Sequence, residues 1–258
     1  MTLYLIGLGI YREPLITRKW FDIIMGSKHI FFERYTSPTP YDIQYLRKFF
    51  GRRDIQHIDR ETLENRTDEI VEMAFEDDVS ILVYGDPLIA TTHRTLILTT
   101  VDKGVEYQVL HNVSSYIYAV TESGLDIYKV GPIGTLIRGG QDINKSTLEK
   151  IGYNLRHGFH SPILLEYNAE EGYIMHPSDA LDIIKKDKDL WRIITDNNSY
   201  IIVLMALGFD EEYKKAYKPS EIRMINELPS GYPAIIIITG RLHFMEREYI
   251  EKVLRSNI

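Results

Sequence analysis

The chain has no cysteine. Disulfides, thiolate nucleophiles and thiolate-held zinc or iron–sulfur centres are therefore excluded. It also lacks any excess of positive charge: 30 Lys and Arg stand against 37 Asp and Glu, a formal net charge of −7. A broad basic face is not implied, which argues against nucleic acid as the main ligand. The longest apolar stretch, 200–209, is far short of the roughly 20 residues of a membrane span and reads as a buried strand. The opening MTLYLIGLGIYRE has no basic segment ahead of its apolar run and no small-residue cleavage pattern, so the expectation is a cytoplasmic protein without a signal peptide or membrane contact. The eight histidines fall in no H-E-x-x-H spacing, and neither a G-x-S-x-G elbow nor a Walker-type loop occurs. Metal catalysis, serine-elbow hydrolysis and P-loop chemistry thus have no support, and no metal is expected.

What is present is an alternation of apolar, strand-like runs with segments of helical spacing. LYLIGLG, HIFFERYTS, DIQHID, VSILVYG and VEYQVLHN read as strands. ITRKWFDIIMGS, YDIQYLRKFFG, RETLENRTDEIVEMAFEDD and THRTLILTTVDKG between them read as helices, the third as one long amphipathic helix. Strands joined by helical crossovers predict a mostly parallel sheet covered on both faces. A polar stretch at 112–115 marks a domain boundary, giving an N-terminal α/β domain over 1–112 and a C-terminal α/β domain over 113–258. In the second half SYIYAVTESG reads as a helix, and GTLIRG, PILLEYN, YIIVLMALG and PAIIIITG as strands. Helices are expected near 147–157, 179–185 and 241–255, and a hairpin over EYNAEEGYIM with Glu171-Gly172 in its turn. A mixed sheet is expected there. The EDD and KKDKD runs read as solvated helix ends.

Four segments at strand ends carry candidate chemistry. Gly7-Leu8-Gly9 lets the backbone approach a ligand where open α/β sheets bind them, but Arg12 replaces the third glycine of a dinucleotide fingerprint. Taken alone it is equally a tight turn. In Gly85-Asp86-Pro87-Leu88-Ile89 a buried strand meets a glycine, a carboxylate and a rigid proline; this is a ligand loop, or a turn whose Asp86 caps the next helix. Glu33-Arg34-Tyr35-Thr36-Ser37 lines a cleft or is an exposed strand end. In His111-Asn112-Val113-Ser114-Ser115 the serines bind a polar ligand or cap a helix.

Together, LYLIGLGIY, ERYTS, GDPLIATTH and HNVSS with GLDIYKVG after it resemble the diphthine synthase branch of the tetrapyrrole methylases. Fainter similarity continues through GRRDIQHIDRETLENRTDEIV, HGFHSPILLEYNAE and TGRLHFMEREY. The resemblance implies two α/β domains with a cofactor cleft between them, a homodimer, and S-adenosyl-L-methionine as methyl donor. It places cofactor contacts at Ile10, Asp86, Ile89, Ser114, Ser115, Leu165, Leu207 and Ala234. It implies methylation of the amino group of an aminocarboxypropyl-modified histidine on translation elongation factor 2. No catalytic base is assigned; Tyr35, Thr36 and His93 are candidates to position the acceptor. The chain departs from the family at Ala234, where histidine is usual, in RGGQDINKST after the GTLI strand, and at TGRLH. Two other readings stay open: a porphyrinoid methylase, which ERYTS opposes, and a non-enzymatic binder of the cofactor.

Overall fold

The computed structural model describes residues 1–256, and the chain divides into two units, Met1–Ser115 and Tyr116–Ile258. In the first unit the elements follow as β1 (Thr2–Gly7), α1 (Arg18–Gly26), β2 (His29–Glu33), α2 (Ile43–Phe50), β3 (Gln56–Ile58), α3 (Arg60–Glu64), α4 (Thr67–Glu76), β4 (Val79–Val83), α5 (Arg94–Asp102) and β5 (Glu106–Leu110). The sheet order is β3-β2-β4-β1-β5, and every pair is parallel. All five residues of β4 are buried. That is why VSILV is apolar without alternation: helices cover both faces of the central strand. Leu3, Leu5, Val79, Ile81 and Val83 meet Ile70, Val71, Ala74 and Leu96 in one core. Helix α2 shows how local signals set the ends. The Asp42 carboxylate accepts from Tyr45 N–H at 2.9 Å, and Gly51 closes the helix at φ 68°.

The chain order of the strands positions the loops. From β2 the chain leaves towards β3, and from neighbouring β4 it leaves the other way, past β1 to β5. Adjacent strands with opposite exits make a crevice beyond their carboxyl ends, the usual ligand site of such sheets. The expected single helix over RETLENRTDEIVEMAFEDD is instead two, α3 and α4. Asn65 and Arg66 interrupt it: the Asn65 amide turns to Glu61 Oε2 at 2.7 Å, and Arg66 leaves the helical conformation at φ −119°, ψ 37°. Asparagine is a weak helix former, so a break is cheap at this position.

In the second unit come α6 (Ser115–Glu122), a 3-10 turn (Ile127–Lys129), β6 (Gly134–Leu136), α7 (Gln141–Arg156), β7 (Ser161–Leu165), β8 (Tyr167–Asn168), β9 (Tyr173–Ile174), α8 (Pro177–Lys186), α9 (Lys188–Asp196), β10 (Ile201–Met205), β11 (Tyr213–Tyr217), a 3-10 segment (Pro219–Glu227), β12 (Ala234–Ile238), α10 (Phe244–Tyr249) and a π-helical turn (Ile250–Leu254). The sheet is mixed, in the order β11-β10-β12-β7-β6, with only β6 and β7 parallel. The β8–β9 hairpin turns at Gly172, φ 63°. A core of Ile151, Ile163, Ile184, Ile201, Val203 and Ile236 fills the sheet's inner face.

The sequence pattern gives no helix at α9 (Lys188–Asp196), which the Asp187 carboxylate caps at Leu190 N–H, and three further elements differ from expectation. Helix α7 begins at Gln141, not near 147, because RGGQDINKST supplies its first turns. The buried Asn144 there accepts from Ile137 N–H at 3.0 Å and donates to Ile137 O at 2.9 Å, pairing with the chain after β6 as a neighbouring strand would. Strand β11 lies in the charged segment EEYKKAYK. It pairs only with β10, and its Lys214 bonds Glu122 at 2.7 Å and Glu212 at 2.8 Å, so its edge position permits the charge. Helix α10 starts after His243, whose N–H donates to Glu246 Oε2 at 2.6 Å in a capping box. No helix among the described residues is long and apolar enough to cross a membrane.

Candidate functional site

At the carboxyl end of the first unit's sheet the three loops after β1, β4 and β5 meet. Gly9 and Gly85 exchange backbone hydrogen bonds, Gly9 N–H to Gly85 O at 3.2 Å and Gly85 N–H to Gly9 O at 2.9 Å. A Cβ on Gly7 would stand 2.6 Å from Gly85 O and 2.9 Å from Asn112 Cβ. The GLG turn is thus glycine because neighbouring chain fills the space a side chain needs. Asn112 locks the third loop: its Nδ2 donates to Gly7 O at 2.9 Å and Leu15 O at 2.5 Å, and its Oδ1 accepts from Val113 N–H at 2.8 Å.

Asp86 is only 5% exposed. Its Oδ1 accepts from Leu88 N–H at 2.9 Å; its Oδ2 accepts from His111 Nδ1–H at 2.9 Å and Asn112 N–H at 3.0 Å. A carboxylate has about four acceptor positions, so one remains for a ligand hydroxyl. Asp86 does not cap α5, whose N-cap is His93. Beside it, Ile89 is 39% exposed, and Ala90 is held at φ 58°. Non-glycine residues in that region carry strain that concentrates at ligand loops. Ile10 is fully buried behind Gly85, with Cγ2 3.7 Å from where its Cβ would be. Ser114 is buried and Ser115 begins α6.

At the crevice between β2 and β4, Glu33 is buried; its two oxygens accept from Thr36 N–H at 2.6 Å and Thr36 Oγ1–H at 2.7 Å. His93 Nδ1 lies 2.8 Å from Pro87 O, and since a carbonyl only accepts, Nδ1 carries a proton. Nε2 faces Glu33 Oε2 at 3.9 Å and has no hydrogen-bond partner among the described residues. A bare ring nitrogen beside a carboxylate is repulsive, and one proton on either group relieves it. Burial raises the Glu33 pKa, against the pull of His93 and the Thr36 hydrogen bonds. The Tyr35 ring stands edge-on to His93, 6.1 Å between centroids, and burial raises its hydroxyl pKa. Thus ERYTS supplies a buried carboxylate and an aromatic wall, and GDPLIATTH supplies the facing imidazole.

In the second unit, Met205 of β10 is opposite Ala234 of β12, and Ile235 is opposite Leu164 of β7. Leu165, Leu207 and Ala234 therefore share one end of that sheet. Ala206, at φ 53°, makes the tight turn there, with its N–H on Pro233 O at 2.8 Å.

Residues 2–215 match the model of the family described as Tetrapyrrole (Corrin/Porphyrin) Methylases. The diphthine synthase of Sulfurisphaera tokodaii is 31% identical over 98% of this chain and 99% of that protein, and that of Saccharolobus solfataricus is 33% identical over the same shares. The chain belongs to the tetrapyrrole methylases, in their diphthine synthase branch. The diphthine methyl ester synthase of Yarrowia lipolytica is 30% identical over 96% of this chain and 88% of its own. In fold, a diphthine synthase crystal structure superposes at a TM-score of 0.85 with 24% identity, covering 99% of this chain and 96% of that one. A structure titled as a putative diphthine synthase from Entamoeba histolytica gives 0.83 with 23% identity, covering 97% of each chain. This tetrapyrrole methylase is a methyltransferase, with the family's parallel and mixed sheets. Its strand-end loops include two features that reading the sequence missed. Asn112 is visible there only as part of a polar boundary, and the Glu33–His93 pairing joins positions sixty residues apart that no local motif links.

Proposed function

We propose that this methyltransferase transfers methyl groups from S-adenosyl-L-methionine to the amino group of the aminocarboxypropyl-modified histidine of translation elongation factor 2. The observation that carries the reading is similarity over nearly the whole chain to proteins named diphthine synthase, with ERYTS and GDPLIATTH meeting across one crevice. We propose cofactor contacts at Ile10, Asp86, Ile89, Ser114 and Ser115 on the first unit and at Leu165, Leu207 and Ala234 on the second. The donor set suits an adenosyl ligand: an acceptor position left on Asp86, an exposed apolar surface at Ile89, and glycine-lined backbone close by. Ala234 would serve through its backbone, since its side chain is a methyl group at a strand end.

When bound, the cofactor supplies an electrophilic methyl group on a sulfonium, so no covalent enzyme intermediate is required. The acceptor must be a neutral amine. An α-amino group titrates near about 8, so a useful fraction is neutral at physiological pH. The protein's task is alignment and water exclusion, and alignment can contribute on the order of 7–11 kcal/mol. Tyr35, Thr36 and His93 would shape the acceptor's approach at the β2–β4 crevice. Working as a cytoplasmic homodimer belongs to the same reading. Intact-mass analysis tests it. Elongation factor 2 carrying the aminocarboxypropyl histidine should gain methyl mass, and the unmodified factor none. Methylation of a tetrapyrrole but not of the modified factor would overturn the assignment.

A further inference from the structure

The second unit has a cationic cavity at the far end of its sheet from Leu207 and Ala234. Strands β10 and β12 are antiparallel, with Ile201 opposite Ile238 and Met205 opposite Ala234. Tyr200 and Thr239 are therefore at the end opposite Leu207 and Ala234, about 15 Å along the strands. The cavity opens there with a volume of about 560 Å³, and Arg156, His157, Ser199, Thr239, Arg241 and Arg247 line it. Two separate elements deliver arginine forks, the loop after β12 with Arg241 and α10 with Arg247, while α7 ends at the rim with Arg156.

Elsewhere in the unit several guanidinium groups have carboxylate partners, though the exposed Arg223 has none among the described residues. Arg138 holds Glu166 at 3.0 Å, Arg192 holds Asp189 at 3.1 Å, and Arg255 holds Glu221 at 2.7 Å. Arg156, Arg241 and Arg247 have none among the described residues, and no acidic side chain lines the cavity. Arg241 and Arg247 bring like charge to the cavity, whereas the Arg156 guanidinium lies back along α7 against Gly152, beside a depression that Glu149, Asp187 and Asp189 also line. The uncharged groups are also donors. Thr239 Oγ1 accepts from Tyr200 N–H at 2.8 Å, leaving its own proton to give. The Ser199 hydroxyl is buried without a hydrogen-bond partner among the described residues. Asn198 carries its amide in a left-handed turn at φ 50° on the cavity rim.

Rich in donors and poor in acceptors, such a site selects an oxyanion, and the planar forks of arginine suit phosphate oxygens. Arg241 and Arg247 stand on separate elements, and a single phosphate that fills one fork leaves the other uncompensated. We propose that this cavity binds a chain of two or more phosphate groups, either a free oligophosphate or the tail of a nucleotide.

Calorimetry on the full chain, with tripolyphosphate and in parallel with ATP and GTP, tests this. Tripolyphosphate should bind, and Arg241→Ala and Arg247→Ala should each weaken it at least about tenfold, the worth of one charge-assisted contact. Both side chains are exposed, so the thermal midpoint of the ligand-free protein should hold. Arg241→Gln and Arg247→Gln, which keep part of the stem, give a second reading if either alanine variant is unstable. A nucleotide that binds more tightly than tripolyphosphate identifies the source as a nucleotide; equal or weaker binding identifies the phosphate chain itself. No heat from any of the three at millimolar concentration, or unchanged affinity in folded arginine variants, would sink the proposal.

Discussion

Asp86 has two tasks, and its substitution should show both. Three donors converge on this buried carboxylate, so Asp86→Ala should cost roughly 3 kcal/mol of stability as well as weakening cofactor affinity about ten- to a hundredfold. Urea unfolding and calorimetry on one preparation separate the two losses. A variant that lost stability but bound the cofactor normally would reduce Asp86 to a structural brace. The sequence alone places Asp86 in a ligand loop or a capping turn; its burial by His111 and Asn112, distant in the chain, is invisible at that level. Glu33 should behave in the opposite way. Burial raises its folded pKa, so its charge opposes folding at neutral pH, and this cost fades as pH falls through the raised value. Glu33→Gln should therefore be as stable as the parent or more so, yet slower in methyl transfer. A clear drop in its unfolding midpoint at neutral pH would show that the carboxylate is there for stability.

Within the elements, two glycines make an informative pair. Gly26 ends α1 with nothing within 4 Å of where a Cβ would stand, whereas a Cβ on Gly7 would meet backbone at 2.6 Å. Gly26→Ala should raise stability by about 0.4–1 kcal/mol by restricting the unfolded chain. Gly7→Ala should lower it and loosen cofactor binding, because β1 and the β4 loop must separate. Thermal melts of both variants check the contrast; equal shifts would contradict the close-packing account. Elements with strong periodicity and marked ends were legible in the sequence: β1, β4, β10 and β12 as apolar runs, α2 from its helical spacing and Gly51 stop. Elements defined by tertiary partners were not. Strand β11 is too charged to read as a strand until β10 pairs with it, and the early turns of α7 rest on Asn144 bonding the chain after β6.

For the whole molecule, the buried ionic groups predict acid lability. Burial alone would raise Glu246, but bonds from Lys129, Asp126 N–H, His243 N–H and His160 outweigh it and hold it at about 2. Arg255 leads in holding Glu221 at about 2. Their contributions are complete above the unfolded carboxylate range near 4.3 and are lost as pH falls towards 2. His160, pushed down chiefly by burial, stabilises the fold above its unfolded pKa near 6.5 and loses this as pH falls through its lower folded value. These groups outnumber Glu33, so the urea midpoint should fall from about pH 6 to about pH 3, and the fall should be shallower in Glu246→Gln. A flat profile would contradict the assigned shifts. The Asn112 side chain, finally, has a kinetic consequence. One amide group holds the chain after β1 at two carbonyls and the start of the β5 loop at a third point, while the β4 loop is tied in through Gly9, Gly85 and Asp86. None of the three can open alone. The backbone protons of Gly9, Gly85 and Asn112 should exchange with deuterium through one shared opening, at one protection factor, and Asn112→Ala should split that single value into three.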